Sequence, residues 1–275
     1  MMTIGAFLRN STLLIAAMAV LAILETLLPF FTKDWRRRHA LPNLALTGVT
    51  LCLNFAFNAG ALVVTAVLVE NHFGLLSTAH LSPLGGVLMS IIALDASTYL
   101  AHRLMHAIPA LWRAHSVHHA DPLVDVTTAL RFHPVEIVWR FTMLMVPAWL
   151  LGLPAEGLAA YRVVSAFVAL LEHMNVRLWQ PLDTALSLVV GTPNMHKLHH
   201  SRVESETNTN YGNLFSLFDR VLGTFTPSAR AATVDYGLDG HDDAETQRFV
   251  GLLRLPFRHR EASPAGRSVA HAVRP

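Results

Sequence analysis

Residues 84–106, LGGVLMSIIALDASTYLAHRLMH, join two features that decide this chain. An apolar run long enough to span a bilayer carries Asp95 and Tyr99 and runs straight into His102 and His106. Working outward, His115, His118 and His119 follow in HSVHH, and His196, His199 and His200 close MHKLHH. The second and third clusters share the pattern H-x-x-H-H. With 16 histidines in 275 residues, about 0.05 copies of that pattern would arise by chance. Residues three and four apart share a helix face, so each cluster turns its imidazoles one way. Three rings on one turn do not all reach one ion, but they can serve two ions lying side by side.

The bulk composition sets the context. The chain is 52% hydrophobic and 15% charged, with a mean hydropathy of +0.40, which places it in the membrane class. Its charge of +2 forms no basic stripe, so nucleic acid is excluded as a partner. Cys52 is the single cysteine, which rules out an intrachain disulfide and a thiolate cage. Any metal must be held by nitrogen or oxygen.

The hydropathy pattern predicts an all-α integral-membrane bundle. Apolar runs cover 11–31, broken by Glu25 and closed by Pro29, then 44–69 and 84–101. Two more, 137–153 and 158–171, are joined by the turn Gly152, Leu153, Pro154. The fifth run is short, so the count is about four spans, or three spans plus a re-entrant hairpin. The first run is read as a retained anchor, because the basic KDWRRRH follows it where a signal peptide would have a small-residue cleavage site. Lys33, Arg36, Arg37 and Arg38 assign that loop to the cytoplasm. Counting crossings from there brings all three clusters, with His133 and His173, to one cytoplasmic face as a histidine-rich helical cap. The expected division is 1–83 for the N-terminal spans, 84–226 for the catalytic region, and 227–275 for a peripheral, partly disordered tail ending in SPAGRSVAHAVRP.

Imidazole alone leaves the metal open among Fe, Zn, Cu and Ni. Eight clustered histidines exceed the four ligands of a closed structural zinc site. Acids near the clusters are few, namely Asp121, Asp125, Glu136, Glu172, Glu204 and Glu206, and no H-E-x-x-H occurs. A pair of redox metals at the mouth of a membrane bundle suits oxygen chemistry on a lipid chain, which zinc cannot perform. Iron is therefore expected.

Six motifs, in this order, resemble the fatty acid hydroxylase and sterol desaturase superfamily. They are D-x-x-x-Y-x-x-H-R-x-x-H (Asp95–His106), W-R-x-H-x-V-H-H (Trp112–His119), R-F-H-P-x-E (Arg131–Glu136), E-H-x-N-V-R-L (Glu172–Leu178), M-H-x-x-H-H-S (Met195–Ser201) and N-Y-G-N-x-x-S-x-x-D-R-x-x-G-T-F (Asn210–Phe225). The likeness runs from about 84 to 226. It implies a membrane-bound non-haem diiron oxygenase that hydroxylates or desaturates a long-chain lipid, fatty acyl, sterol or related, with O₂ and an external electron donor. It also implies that His102, His106, His115, His118, His119, His196, His199 and His200 are metal ligands. His173 is the natural ninth and His133 a tenth, and Asn175 could act through a bound water. Two iron ions, a lipid from the bilayer and a separate electron-transfer protein are the expected cofactors and partners, since the chain shows no haem motif or dinucleotide fingerprint. The absence of organellar signals suggests a bacterial inner membrane.

Other residues have plainer readings. His39, His72, His80, His241, His259 and His271 read as satisfied interior or interface residues, with His72 and His80 on the opposite membrane side. Glu25 is expected to pair with a neighbouring helix or to snorkel to the surface. Arg103, Arg131 and Arg177 are candidates for pinning carboxylates or lipid headgroups, and equally for a direct part in the chemistry. Asp95 and Asp219 are expected to orient histidine N–H groups, and Asn210 and Tyr211 to shape the pocket or simply to form a turn. The competing function is a non-enzymatic membrane protein that binds or passes a transition metal, whose ligands would string along a path through the spans. A membrane hydrolase, working without oxygen, is a third.

Overall fold

The computed structural model describes residues 4–29, 39–76, 79 and 81–258. Several sequence expectations lie outside these residues: the basic loop with Lys33, Arg36, Arg37 and Arg38, the readings of His80, His259 and His271, and the terminal SPAGRSVAHAVRP.

Helices α1 (Ile4–Leu27), α2 (Ala40–Glu70), α3 (Pro83–Ala107), α5 (Pro134–Leu151) and α6 (Ala155–His173) form the bundle, and α4 (Pro109–His119) follows α3 directly. Smaller helices complete the cap: α7 (Gln180–Leu186), α8 (Pro193–His199), α9 (Glu204–Thr207), α10 (Leu217–Val221) and α11 (Phe249–Arg254). The described residues contain isolated β-bridges but no strand. Four helices among them are long and apolar enough to cross a membrane: Leu8–Leu27, Ala40–Leu68, Pro83–Ala107 and Pro134–Leu151. The chain is thus all-helical with four candidate spans and a histidine-rich cap.

Local chemistry sets the helix ends. Ser82 caps α3 by accepting the Gly85 N–H, with Pro83 in the first turn, where its missing donor costs nothing. Pro109 ends the path of α3 and starts α4 only two residues later, so the HRLMH and HSVHH clusters meet across a corner. Gly152 closes α5 in the left-handed region (φ 69°), which suits a residue without Cβ, and the chain reverses into α6.

The α5–α6 hairpin runs the full height of α3. Its turn lies at the N-terminal end of α3, where Leu75 and Leu76 N–H donate to the Leu150 and Leu151 carbonyls and Gly86 faces Pro154. Its open end carries Glu136 and His173 to the histidines. α6 is not among the four apolar candidates, because it includes Glu156, Arg162 and Glu172. Arg162 spends its charge inside the bundle, donating to Asn58 and Asn54 of α2. Such inward-facing polar groups join helices where lipid provides no hydrophobic drive.

Two expectations are corrected in part. Glu25 does not snorkel: it is buried, and Oε2 accepts the N–H of Val126 (3.2 Å) and of Asn175 (3.0 Å), which ties α1 to the cap. The described part of the C-terminal segment is not peripheral. Leu252 and Leu255 pack with Leu46, Val117 and Ala120, and Tyr236 bridges to Ser201. Burying those leucines behind the HSVHH helix removes apolar surface from water at about 25 cal/mol per Å².

Candidate metal centre

The histidines form two adjoining groups. His102, His106, His115, His119 and His199 make one; His118, His173, His196 and His200 make the other, with ligand atoms in each group within 4.8 Å of one another. The repeated H-x-x-H-H explains the division. On α4, His115 and His119 are four apart and share a face, while His118, beside His119, points to the second group. At α8 the roles reverse: His196 and His200 serve the second group and His199 crosses to the first. Each copy builds both groups, and the groups touch where His119 stacks on His200 at 4.5 Å between ring centroids.

Backbone carbonyls fix how several rings face. Nδ1–H of His102 donates to Tyr211 O (2.9 Å), that of His199 to Thr209 O (2.8 Å) and that of His173 to Ala169 O (2.7 Å). A carbonyl only accepts, so these rings carry their proton on Nδ1 and turn a bare Nε2 lone pair inward. His115 Nδ1 meets Glu136 Oε1 at 2.9 Å, and Arg140 Nε donates to the same oxygen at 2.7 Å. His106 Nδ1 meets Asn208 Oδ1 at 3.1 Å.

These contacts test whether a cation fits. Nε2 of His102 lies 3.1 Å from Nε2 of His115, although both lone pairs point at the same space. The buried Nε2 atoms of His106 and His199 have no hydrogen-bond partner. In the second group His173 Nε2 lies 3.1 Å from His118 Nε2 and 3.0 Å from His196 Nε2. Nitrogens at right angles around one ion, with bonds of about 2.1 Å, are about 3.0 Å apart. The all-nitrogen set therefore suits a transition-metal ion in each group.

Burial above all, and then repulsion among neighbouring imidazolium charges, holds His118, His119, His196 and His200 well below the ordinary histidine range. Burial pushes His199 down to about 3. The rings are thus neutral near pH 7, as ligation requires. His39 behaves oppositely. Burial alone would lower it, but Asp121 and Asp125, at 3.3 and 3.2 Å, outweigh burial and raise it to about 10. An unfolded chain takes up protons near pH 6.5 that the folded clusters refuse, so metal-free stability falls as pH drops below about 6.5. The His39 contribution is complete below about 6.5 and is lost as pH rises through about 10. Melting of metal-free protein across pH should therefore give a maximum between those limits; a maximum on the acid side would contradict the sign.

The structure brings nine of the ten expected histidines together and places His133 elsewhere. His133 is the N-cap of α5: Nδ1 accepts the Val135 N–H (3.2 Å), and Nε2 lies 3.2 Å from Leu253 O. Both ring nitrogens are committed. Its motif position is explained by helix capping ahead of Pro134, and His133→Asn should keep the full metal content while changing stability by about 1 kcal/mol. Metal analysis of that variant checks this, and loss of an ion would restore His133 as a ligand.

Asp95 and Asp219 do not touch histidines. Asp95 accepts the N–H of Leu214 and Phe215 and the Tyr161 hydroxyl; Asp219 accepts the N–H of Tyr211 and Gly212 and the Thr224 hydroxyl. They hold the loop whose Tyr211 carbonyl orients His102. Within the two groups, the acid that meets an imidazole directly is Glu136, present in R-F-H-P-x-E but not singled out in the sequence. Asn210, at φ 55°, closes its turn through two bonds with Thr226, and the Tyr211 ring lies 5.1 Å from His106. Arg131 pins the buried Asp121, as expected of one of the three arginines, while Arg103 and Arg177 are exposed. His72 lies at the far end of α2 and lines an apolar cavity of about 610 Å³ there, away from the clusters.

A sequence profile of the family described as Fatty acid hydroxylase matches residues 87–224. The chain is 29% identical over 258 residues to Ornithine lipid hydroxylase OlsE of Rhizobium tropici, covering 88% of this chain and 74% of that protein. It is 26% identical over 155 residues to Alkylglycerol monooxygenase of Danio rerio, covering 54% of this chain and 32% of that protein. It is 28% identical over 142 residues to Very-long-chain aldehyde decarbonylase GL1-9 of Oryza sativa subsp. japonica, covering 51% of this chain and 54% of that protein. The chain thus spans less than two thirds of the last two. No solved structure matches.

Proposed function

The chain belongs to the fatty acid hydroxylase family, and from that premise we propose that it is a membrane-bound non-haem diiron oxygenase acting on a long-chain lipid with O₂. The observation that carries this reading is the pair of adjoining groups of neutral imidazoles, five and four in number and all buried but the half-buried His106, whose lone pairs converge. Residues 84–226 form the proposed catalytic unit and the first two spans its anchor. The relatives whose names are hydroxylase and monooxygenase support oxygen insertion into a lipid.

In this reading His102, His106, His115, His119 and His199 hold one iron, and His118, His173, His196 and His200 the other. Bound iron would supply the one-electron steps by which O₂ is reduced while a C–H bond of the lipid is oxidised. The protein's own residues do the rest. Tyr211, Thr209 and Ala169 carbonyls lock ring orientation, and Glu136 strengthens His115 as a donor. Burial keeps water from the second group on all sides. His106 is the one of the nine not fully buried, and Trp112 packs on it at 4.9 Å, so substrate reaches the first group past this pair. Hydroxylation of one C–H bond by O₂ also forms water and consumes two electrons, which a separate electron-transfer protein delivers, and two protons taken from the aqueous phase. The cap lies on the cytoplasmic side of a bacterial inner membrane, where such donors reside.

Convergence at one end of the bundle favours this over metal passage, which needs ligands along the spans. Iron-loaded protein in lipid vesicles, given a reductant and a redox mediator, should consume O₂ and yield a lipid one oxygen atom heavier, or one with a new double bond. Lipid turnover that continues without O₂ would overturn the reading.

A further inference from the structure

Two short cap helices are built inside out. On α7 and the residues after it, Asp183 and Ser187 are buried, while Leu182, Leu186 and Val189 are exposed. On α10, Ser216 and Asp219 are buried, while Leu217, Val221 and Leu222 are exposed, Val221 at 73%. A surface helix in water shows the opposite pattern.

The polar groups of this pair face inward, and Asp183 Oδ1 alone among their carboxylate oxygens is buried without a partner. Asp183 accepts from Ser228. Ser187 O accepts from Ser216 Oγ (2.7 Å) and from Arg220 Nε and Nη2 (3.1 and 2.8 Å), and the Arg220 guanidinium lies 3.7 Å over the Phe225 ring. The one basic side chain on α10 is therefore folded against the protein.

The depth of the pair follows from Asp95. It sits twelve residues from either end of α3, a helix of 25 residues, or about 37 Å at 1.5 Å per residue. Leu214 and Phe215 bind their N–H groups to that carboxylate, at 3.1 and 3.0 Å. The irregular strip 210–216 thus descends from the level of His102, which bonds Tyr211 O, to mid-height of a candidate span at Leu214 and Phe215. Hydrocarbon of about 30 Å beginning at Pro83 would extend about 20 residues, to His102. The strip satisfies its backbone as that depth demands: Asp219 takes Tyr211 and Gly212, Val189 O takes Ser216, and Leu214 O takes Gly191. Non-helical backbone is tolerated in a bilayer only when protein meets its hydrogen bonds. Just before α7, Arg177 and Trp179 are exposed, Trp179 at 71%, the residue types that mark a membrane boundary.

We propose that α7, α10 and the strip between them are immersed in the bilayer, with Leu182, Leu186, Val189, Leu217, Val221 and Leu222 against lipid acyl chains, as a re-entrant element beside α3 and α6. The partner is phospholipid hydrocarbon, and α3 and α6, which the strip touches at Asp95 and Ser165, also expose apolar side chains, Ile92 and Phe167 among them. This element sinks the cap side of the metal centre into the membrane, so an alkyl chain need not leave the lipid to approach it.

Bimane placed on single cysteines tests this in the full chain, in a Cys52→Ser background reconstituted in phosphatidylcholine vesicles. Leu186→Cys, Leu217→Cys and Val221→Cys are probed, with Asp239→Cys as the aqueous control, and retained metal content selects folded variants. The expected result is loss of emission with doxyl-labelled phosphatidylcholine and none with iodide at the three apolar positions. Iodide quenching equal to that at Asp239 would overturn the proposal. Protection from both quenchers would overturn it too, showing the face covered by a second copy.

Discussion

Alanine at His118 or at His199 should abolish lipid turnover, and each should cost one ion rather than both. His118 serves the four-membered group and His199 the five-membered one. Removing His118 leaves His173, His196 and His200, three buried nitrogens with a gap where the fourth stood. The other group keeps all five donors. Metal per chain should fall by about half in each variant, while turnover drops below detection because both ions are needed to reduce O₂. The prediction is sharpest for adjacent residues: His119→Ala should weaken the first group and His118→Ala the second, although their Cα atoms are neighbours. Metal analysis with turnover on the same samples reads it. Equal loss of both ions in every variant would mean a single shared site.

The second large effect concerns Arg131, which lies fully buried at the back of the HSVHH helix. Its Nε donates to Val117 O (2.8 Å), Nη1 to Asn43 Oδ1 (2.7 Å) and Nη2 to Gln247 Oε1 (2.8 Å), and Asp121 lies 3.5 Å away. One guanidinium thus joins α2, α4 and the C-terminal segment. Arg131→Ala strips the buried Asp121 of its main counter-charge and should destabilise the fold by about 3–5 kcal/mol. Lysine should not rescue it, because one ammonium cannot match three directions of the planar fork. Arg131→Met with Asp121→Asn should recover part of the loss, since no uncompensated charge then remains. Denaturation in detergent measures this, and a wild-type midpoint for Arg131→Ala would refute the role assigned to it.

The sequence carried much of this. Apolar runs located all five long helices, and Gly152–Pro154 gave the hairpin turn, because long apolar stretches admit few alternatives. The two H-x-x-H-H copies were legible from helical spacing as clusters able to serve two adjoining sites, and the structure gathers them into two adjoining groups. What spacing could not supply was the partner of each ring. His133 sits among the clustered histidines in the motif order, yet its ring caps α5, since a cap and a candidate ligand look alike in a string of letters. Asp95 and Asp219 seemed placed to orient histidines, but both serve backbone amides of the 210–216 loop, a contact across more than a hundred residues for Asp95. Leu252 and Leu255 were unreadable for a different reason: a short apolar run near a chain end gives no sign of the pocket that receives it. Inverted amphipathicity in α7 was hidden because seven residues are too few for a hydropathy window.

The most direct test of the central claim is elemental analysis of the full chain purified from membranes after growth with iron and loaded anaerobically with ferrous ion. The account predicts two iron ions per chain, falling to about one in either His118→Ala or His199→Ala. A chain that binds one ion or none, or that holds zinc in preference to iron and still turns over lipid, would contradict it.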